Sequence, residues 1–168
     1  MGMDVYGLNP TENSPEPEAV AKWIVNGWVD WKEMEKVKGA KEEYFIALEK
    51  WKEQNPGDYF RANVWWWRPL WECVAYFCDD ILSKEDIERG TYNDGYEYDE
   101  KTAQKISDKL EEVIKNKKIH KFEKERNEYI SNIEDKEDRK FYSNYKFDVD
   151  FVMDFAKFCQ ESGGFSIC

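Results

Sequence analysis

The residues best equipped for chemistry in this sequence are Arg61, Trp65, Trp66, Trp67 and Arg68. Arginine carries a planar fork of N–H donors that pairs carboxylates or phosphates bidentately and stacks on aromatic rings. Tryptophan offers flat apolar faces to nucleobases and other planar ligands. With Trp71 one turn later, the segment has the groups to cradle a small, nucleotide-like anion. Asn93 and Asp94, ahead of Gly95, would add hydrogen bonds to a base or ribose if the fold sets that turn beside the arginines. The expected ligand-binding set is therefore Arg61, Trp65, Trp67, Arg68, Asn93 and Asp94. The competing account is structural: the indoles fill the core, and the arginines pair with the abundant carboxylates.

Other reactive residue types are less organised. His120 is the only histidine and lies in a lysine-rich stretch, with no local carboxylate and nucleophile to form a catalytic group. Cys73 and Cys78 sit about 140° apart on a helix, a poor arrangement for shared metal ligation, so buried thiols are expected and no metal or cofactor. Cys159 and Cys168 would have to join them across the fold. Glu72, Asp79, Asp80 and Asp94 would make a carboxylate cluster only if folding gathers them, which is the one route to a carboxylate- or metal-dependent enzyme. No glycine-rich phosphate loop precedes a helix, and Gly163-Gly164 reads as a helix stop.

Charge narrows the partners. The 168 residues carry 36 acidic and 25 basic side chains, a net charge of -11, which disfavours direct binding to a phosphate backbone. An acidic surface could instead cover a basic protein, mimicking nucleic acid. No run of about 20 apolar residues is present, and the first residues lack a basic and apolar leader, so a cytoplasmic protein with reduced thiols is expected. Oligomeric state is open.

These residues must be positioned by a scaffold that periodicity describes in outline. Residues 11–18 read as a flexible polar connector with two prolines. Residues 19–31 suggest a helix weakened by Gly27. Residues 41–54 form an apolar stripe ended by Asn55-Pro56-Gly57. Residues 59–67 read as extended, since three consecutive tryptophans would spread over about 200° of a helix. The residue before a proline avoids helical geometry, so Arg68 is expected to be extended and Pro69 to open a helix as its first residue. That helix, to about Ile81, has a wide apolar face and is expected to be the buried central one. Asp99 and Asp148 are expected N-caps, with an irregularity near Lys117 between them. From residue 97 to 140, 25 of 44 residues are charged, which indicates a solvated helical surface.

Three stretches resemble a pattern found in small phage and bacterial proteins without an assigned activity. They are Met3-Asp4-Val5-Tyr6-Gly7-Leu8-Asn9-Pro10, then the YFRANVWWWRPL segment from Tyr59 to Leu70, then Phe158-Cys159-Gln160-Glu161-Ser162-Gly163-Gly164-Phe165. Asn93-Asp94-Gly95 before a helix also fits. Some members of that group carry a cysteine-rich, zinc-ribbon-like insertion before the last helix. Residues 133–146 stand there in this chain and contain no cysteine, so no metal site is implied. What the resemblance implies is a phage or mobile-element context, in the host cytoplasm.

The expected fold is mainly α: a single helical domain over residues 1–168, with a buried central helix and room for one short strand or hairpin. The expected function is non-enzymatic binding, in which the protein sequesters a small anionic, nucleotide-like ligand such as a host defence signal. The alternatives are an acidic inhibitor of a basic host protein and, third, a carboxylate-dependent enzyme.

Overall fold

Period-two alternation, not helical periodicity, shapes both ends of the chain. In the computed structural model, which describes residues 2–168, β1 (Gly2–Gly7) turns Met3 and Val5 inward and Asp4 and Tyr6 outward. It is followed by α1 (Glu18–Ala21), the paired strands β2 (Ile24–Val25) and β3 (Trp28–Val29), α2 (Trp31–Met34) and α3 (Ala40–Gln54). Next come β4 (Tyr59–Asn63), α4 (Val64–Phe77), α5 (Lys84–Arg89), β5 (Tyr96–Asp99), α6 (Glu100–Lys115) and α7 (Lys118–Ser131). The chain finishes with α8 (Lys136–Tyr142), α9 (Val149–Glu161) and β6 (Gly164–Ile167).

Helices hold 56% of the chain and strands 14%, so the mainly α expectation stands but the single short strand does not. Four strands form one antiparallel sheet in the order β4-β1-β6-β5. The last strand lies in the middle of it, between the first strand and β5. Strands this short carry too few alternating residues to stand out in a sequence.

Helices cover one face of this sheet. α4 buries Trp67, Leu70, Trp71, Cys73 and Val74, and packs with α6, α9, β1 and β4 around a core that includes Phe155, Phe158 and Phe165. This is the expected central helix, displaced at its start. It begins at Val64, because the Asn63 side chain accepts from the N–H groups of Trp65 and Trp66. Residues 64–67 are therefore helical rather than extended, Arg68 is helical as well, and Pro69 sits inside the second turn. Capping by Asn63 and burial of the indoles outweigh the local preference of a pre-proline residue.

A second, smaller cluster forms from Val20, Met34, Ala40 and Tyr44. Here the expected helix over residues 19–31 is cut to the short α1, and a hairpin follows it. Asn26 and Gly27 both adopt positive φ, 52° and 81°, which a two-residue hairpin turn requires. The connector at residues 11–18 is exposed and tied at Ser14, which hydrogen-bonds the buried Asn55 and accepts from the Trp51 indole.

The chain's N-terminal turn, the stop of α3 and the stop of α9 meet backbone to backbone. Leu8 donates to the Gly164 carbonyl at 2.8 Å, Asn9 to Ser162 at 3.0 Å and Thr11 to Glu161 at 2.8 Å. A methyl group at Gly57 would collide with the Glu161 backbone, and one at Gly163 with Asn9, where φ is also positive at 60°. Asp99 and Asp148 cap α6 and α9, and Lys117, at φ 62°, breaks α6 from α7. No helix of the described residues is long and apolar enough to cross a membrane.

Candidate functional site

Helical geometry at the start of α4 sends its tryptophans in different directions. Trp65 leans on Tyr145 at 4.7 Å between ring centroids and on Phe141 at 6.2 Å, and stays 40% exposed. Trp66 meets Phe151. Trp67 turns into the core and stacks on Trp71 at 5.5 Å and 11°. The two indole N–H groups are satisfied by backbone carbonyls: Trp67 donates to Gly90 at 2.8 Å and Trp71 to Ile87 at 2.9 Å. These bonds fix α4 against α5 and the loop after it. Gly90 is required there, because any side chain would strike the Trp71 ring.

A groove of about 480 Å³ lies along this seam, lined by Trp67, Arg68, Trp71, Glu72 and Ala75 on one side and Ile87, Thr91 and Tyr92 on the other. Trp67 and Trp71 are almost wholly covered and lie beneath it, while half-exposed Tyr92 forms its wall. Arg68 stands at the rim. Its Nη1 donates to the Tyr145 hydroxyl at 2.8 Å, and the guanidinium lies 5.4 Å from the centre of that ring. Among the described residues Arg68 makes no ion pair. Glu72, the groove's one carboxylate, accepts from Arg126 Nε at 3.1 Å. The groove thus combines an apolar slot, one oriented cation and an acid already paired elsewhere.

Comparison with protein-family models, with curated proteins and with solved structures found no match.

The six expected site residues divide. Trp67 and Arg68 line the groove, and Asn93 and Asp94 directly follow its residues Thr91 and Tyr92 in the chain. Asp94 pairs with Arg89 at 2.7 Å. Arg61 and Trp65 do not line it. Arg61 projects from the solvent face of β4, opposite Asp4 in the β1 register, and pairs with that carboxylate at 3.4 Å. Strand alternation turns it away from the α4–α5 groove, and it lines a different hollow of about 360 Å³ with Trp66 of α4 and Asp148, Asp150 and Asp154 at the start of α9. Trp65 belongs instead to the aromatic group around Tyr145.

The remaining candidates are scattered. Asp80 pairs with Lys109, Glu72 with Arg126 and Asp94 with Arg89, on different elements. Among the described residues no three of His, Cys, Asp and Glu gather to hold a metal. His120 is exposed beside Glu123 at 3.7 Å. Cys73, Cys78 and Cys159 are buried, and burial pushes the Cys78 thiol up to about 12, with Lys109 pulling the other way. Sequence reasoning missed Tyr145, Arg126 and Tyr92. Only Tyr92 had a signal, its place beside the Asn93-Asp94-Gly95 turn.

Proposed function

We propose that this protein is a non-catalytic binding protein whose groove between α4 and α5 holds a small, planar, anionic ligand of the nucleotide class. The observation that carries this reading is Arg68. In a chain with 36 acidic and 25 basic residues, it is held in place by Tyr145 yet lacks a carboxylate, at the mouth of an aromatic slot. A positioned guanidinium loses little freedom when an anion arrives, so more of the interaction appears as affinity. Tyr92, Trp67 and Trp71 supply the apolar contact for a flat ring. Resemblance to small phage and bacterial proteins fits a protein that removes a host signal from the host cytoplasm rather than transforming it.

Thermal melting against a panel of mono-, di- and cyclic nucleotides tests this. A ligand at 100 times its Kd stabilises the native state by about 2.7 kcal/mol. For a chain of this size that raises Tm by roughly 5–10 °C. Arg68→Ala is expected to abolish the shift. No shift with any nucleotide, or a shift that survives Arg68→Ala, overturns the reading.

A second reading has one observation behind it. Residues 79–99 hold eight acidic and two basic side chains, concentrated on α5, β5 and their flanks. Such a surface suits a basic protein partner. Under that reading, Glu88→Lys with Glu97→Lys destroys binding to a basic protein and leaves any nucleotide shift intact.

A further inference from the structure

The acidic character of the chain is reversed in one place. A depression of about 430 Å³ between α7, α8 and the segment leading to α9 is lined by Arg126, Arg139, Lys146, Asn127, Ser131 and Ser143, over a base of Ile130, Phe147 and Tyr145, the last of which holds Arg68 on its other side. It brings together three cations, and no carboxylate lines it. Glu72 neutralises Arg126 from behind, which leaves Arg139 and Lys146 as two cations that make no ion pair among the described residues, on one depression of a protein of net charge -11.

Arg126 is the fixed member. Its side chain is only 11% exposed, with Nε donating to Glu72 at 3.1 Å and Nη1 to the Tyr145 carbonyl at 2.9 Å. Glu72 lies on α4, so the ion pair anchors the guanidinium from behind, and its remaining N–H groups are not used by the protein. Arg139 makes one long bond to the Glu134 carbonyl at 3.5 Å and, like Lys146, has no ion pair among the described residues. Ser131 and Ser143 donate to carbonyls of their own helices, so the lining donors left for a ligand are those of the cations and the Asn127 amide.

We propose that this depression is a second binding site, for a small phosphate-class oxyanion such as phosphate or pyrophosphate, separate from the α4–α5 groove. Two guanidinium forks and an ammonium suit tetrahedral oxyanions with several acceptor atoms. The site favours a compact anion over a nucleic-acid strand. Glu123 and Glu128 line the next hollow along α7 beside His120 and Lys124, with which they pair, so the uncompensated cations do not continue along α7 as a strand-length phosphate track would need.

Titration with inorganic phosphate and pyrophosphate, followed by 1H–15N NMR and calorimetry, tests the proposal. Pyrophosphate is expected to bind with Kd below about 1 mM at low ionic strength, weakening as salt is added. Shifted resonances should be confined to residues 126–131 and 139–147. Arg139→Gln and Lys146→Gln alter a half-buried and an exposed side chain whose only bond among the described residues is the long one from Arg139 to Glu134, and each is expected to weaken binding about tenfold. Tyr92→Ala, on the far wall of the nucleotide groove and absent from this lining, is expected to leave pyrophosphate affinity within about twofold, which separates this site from that groove. Absence of saturation at about 10 mM pyrophosphate, binding that survives Arg139→Gln with Lys146→Gln, or loss of binding in Tyr92→Ala would each overturn the proposal. Tighter binding of a single-stranded oligonucleotide than of pyrophosphate would overturn it in favour of a nucleic-acid surface. The resonance map of the unmodified protein decides the question even where a variant folds poorly.

Discussion

Trp67 shows how one side chain can serve the core and a site together. Its ring packs on Trp71 and Phe155 while its N–H holds the carbonyl of Gly90. Trp67→Phe keeps most of the apolar area but leaves that buried carbonyl without its donor. A loss of about 1–3 kcal/mol in urea unfolding is expected, and an unchanged midpoint would show that the bond contributes nothing. The cysteines make a sharper forecast. The burial that raises the Cys78 thiol also raises Cys73 and Cys159, whereas Cys168 is exposed. A thiol-reactive dye at neutral pH should therefore modify one cysteine in the native protein and all four in denaturant. Rapid modification of any buried position would contradict the packing around α4 and α9.

At the level of elements, capping carries much of the design. The Asp99 side chain accepts from the Thr102 N–H at 2.7 Å, and its hydrogen bonds to Thr102 hold its carboxyl below the ordinary 3.8. Because the folded value is the depressed one, the charged cap stabilises fully above pH 3.8 and is lost as pH falls through the folded value. Asp99→Asn keeps a capping oxygen without titration. Its stability should match the parent near neutrality and fall less steeply below about pH 4, as read from denaturant midpoints across that range. Equal acid sensitivity in the two proteins would remove Asp99 from the account.

The caps at Asp99 and Asp148, the break at Lys117 and the α9 stop at Ser162-Gly163-Gly164 were all legible in the sequence, because each depends on residues within one turn. The start of α4 was not. Pro69 was the stronger local signal, and Asn63 prevails only because the buried indoles behind it favour a longer helix. The Asn26-Gly27 hairpin had a readable signal that nearby helix-spaced tryptophans obscured. The site divides in the same way. Trp67 and Arg68 could be named from their residue types, but that they share a groove with Thr91 and Tyr92 depends on the packing of α4 against α5. Tyr145, which holds Arg68, is 77 residues away and nothing local announces it.

Across the whole molecule, stability is unevenly spread. The cluster around Val20, Met34, Ala40 and Tyr44 is small beside the core that α4, α6 and α9 share with the sheet. Fewer buried apolar groups mean cheaper local opening. Native-state hydrogen exchange should therefore find amides of residues 20–38 exchanging well before those of α4, α6 and α9. Uniform protection would mean that the small cluster unfolds only with the rest. The junction at Gly57 and Gly163 joins the two parts, since it sets the stop of α3 against the stop of α9. Gly57→Ala should cost about 2–3 kcal/mol through steric conflict alone.

The central place of β6 constrains how such a chain can be made. On the ribosome, the outer edge of β1 and all of β5 must wait for residues 164–167 before they have partners. During that interval a nascent chain presents open backbone donors and acceptors to any neighbouring polypeptide. Yield in cells should accordingly depend on chaperone supply more than the finished protein's melting temperature suggests.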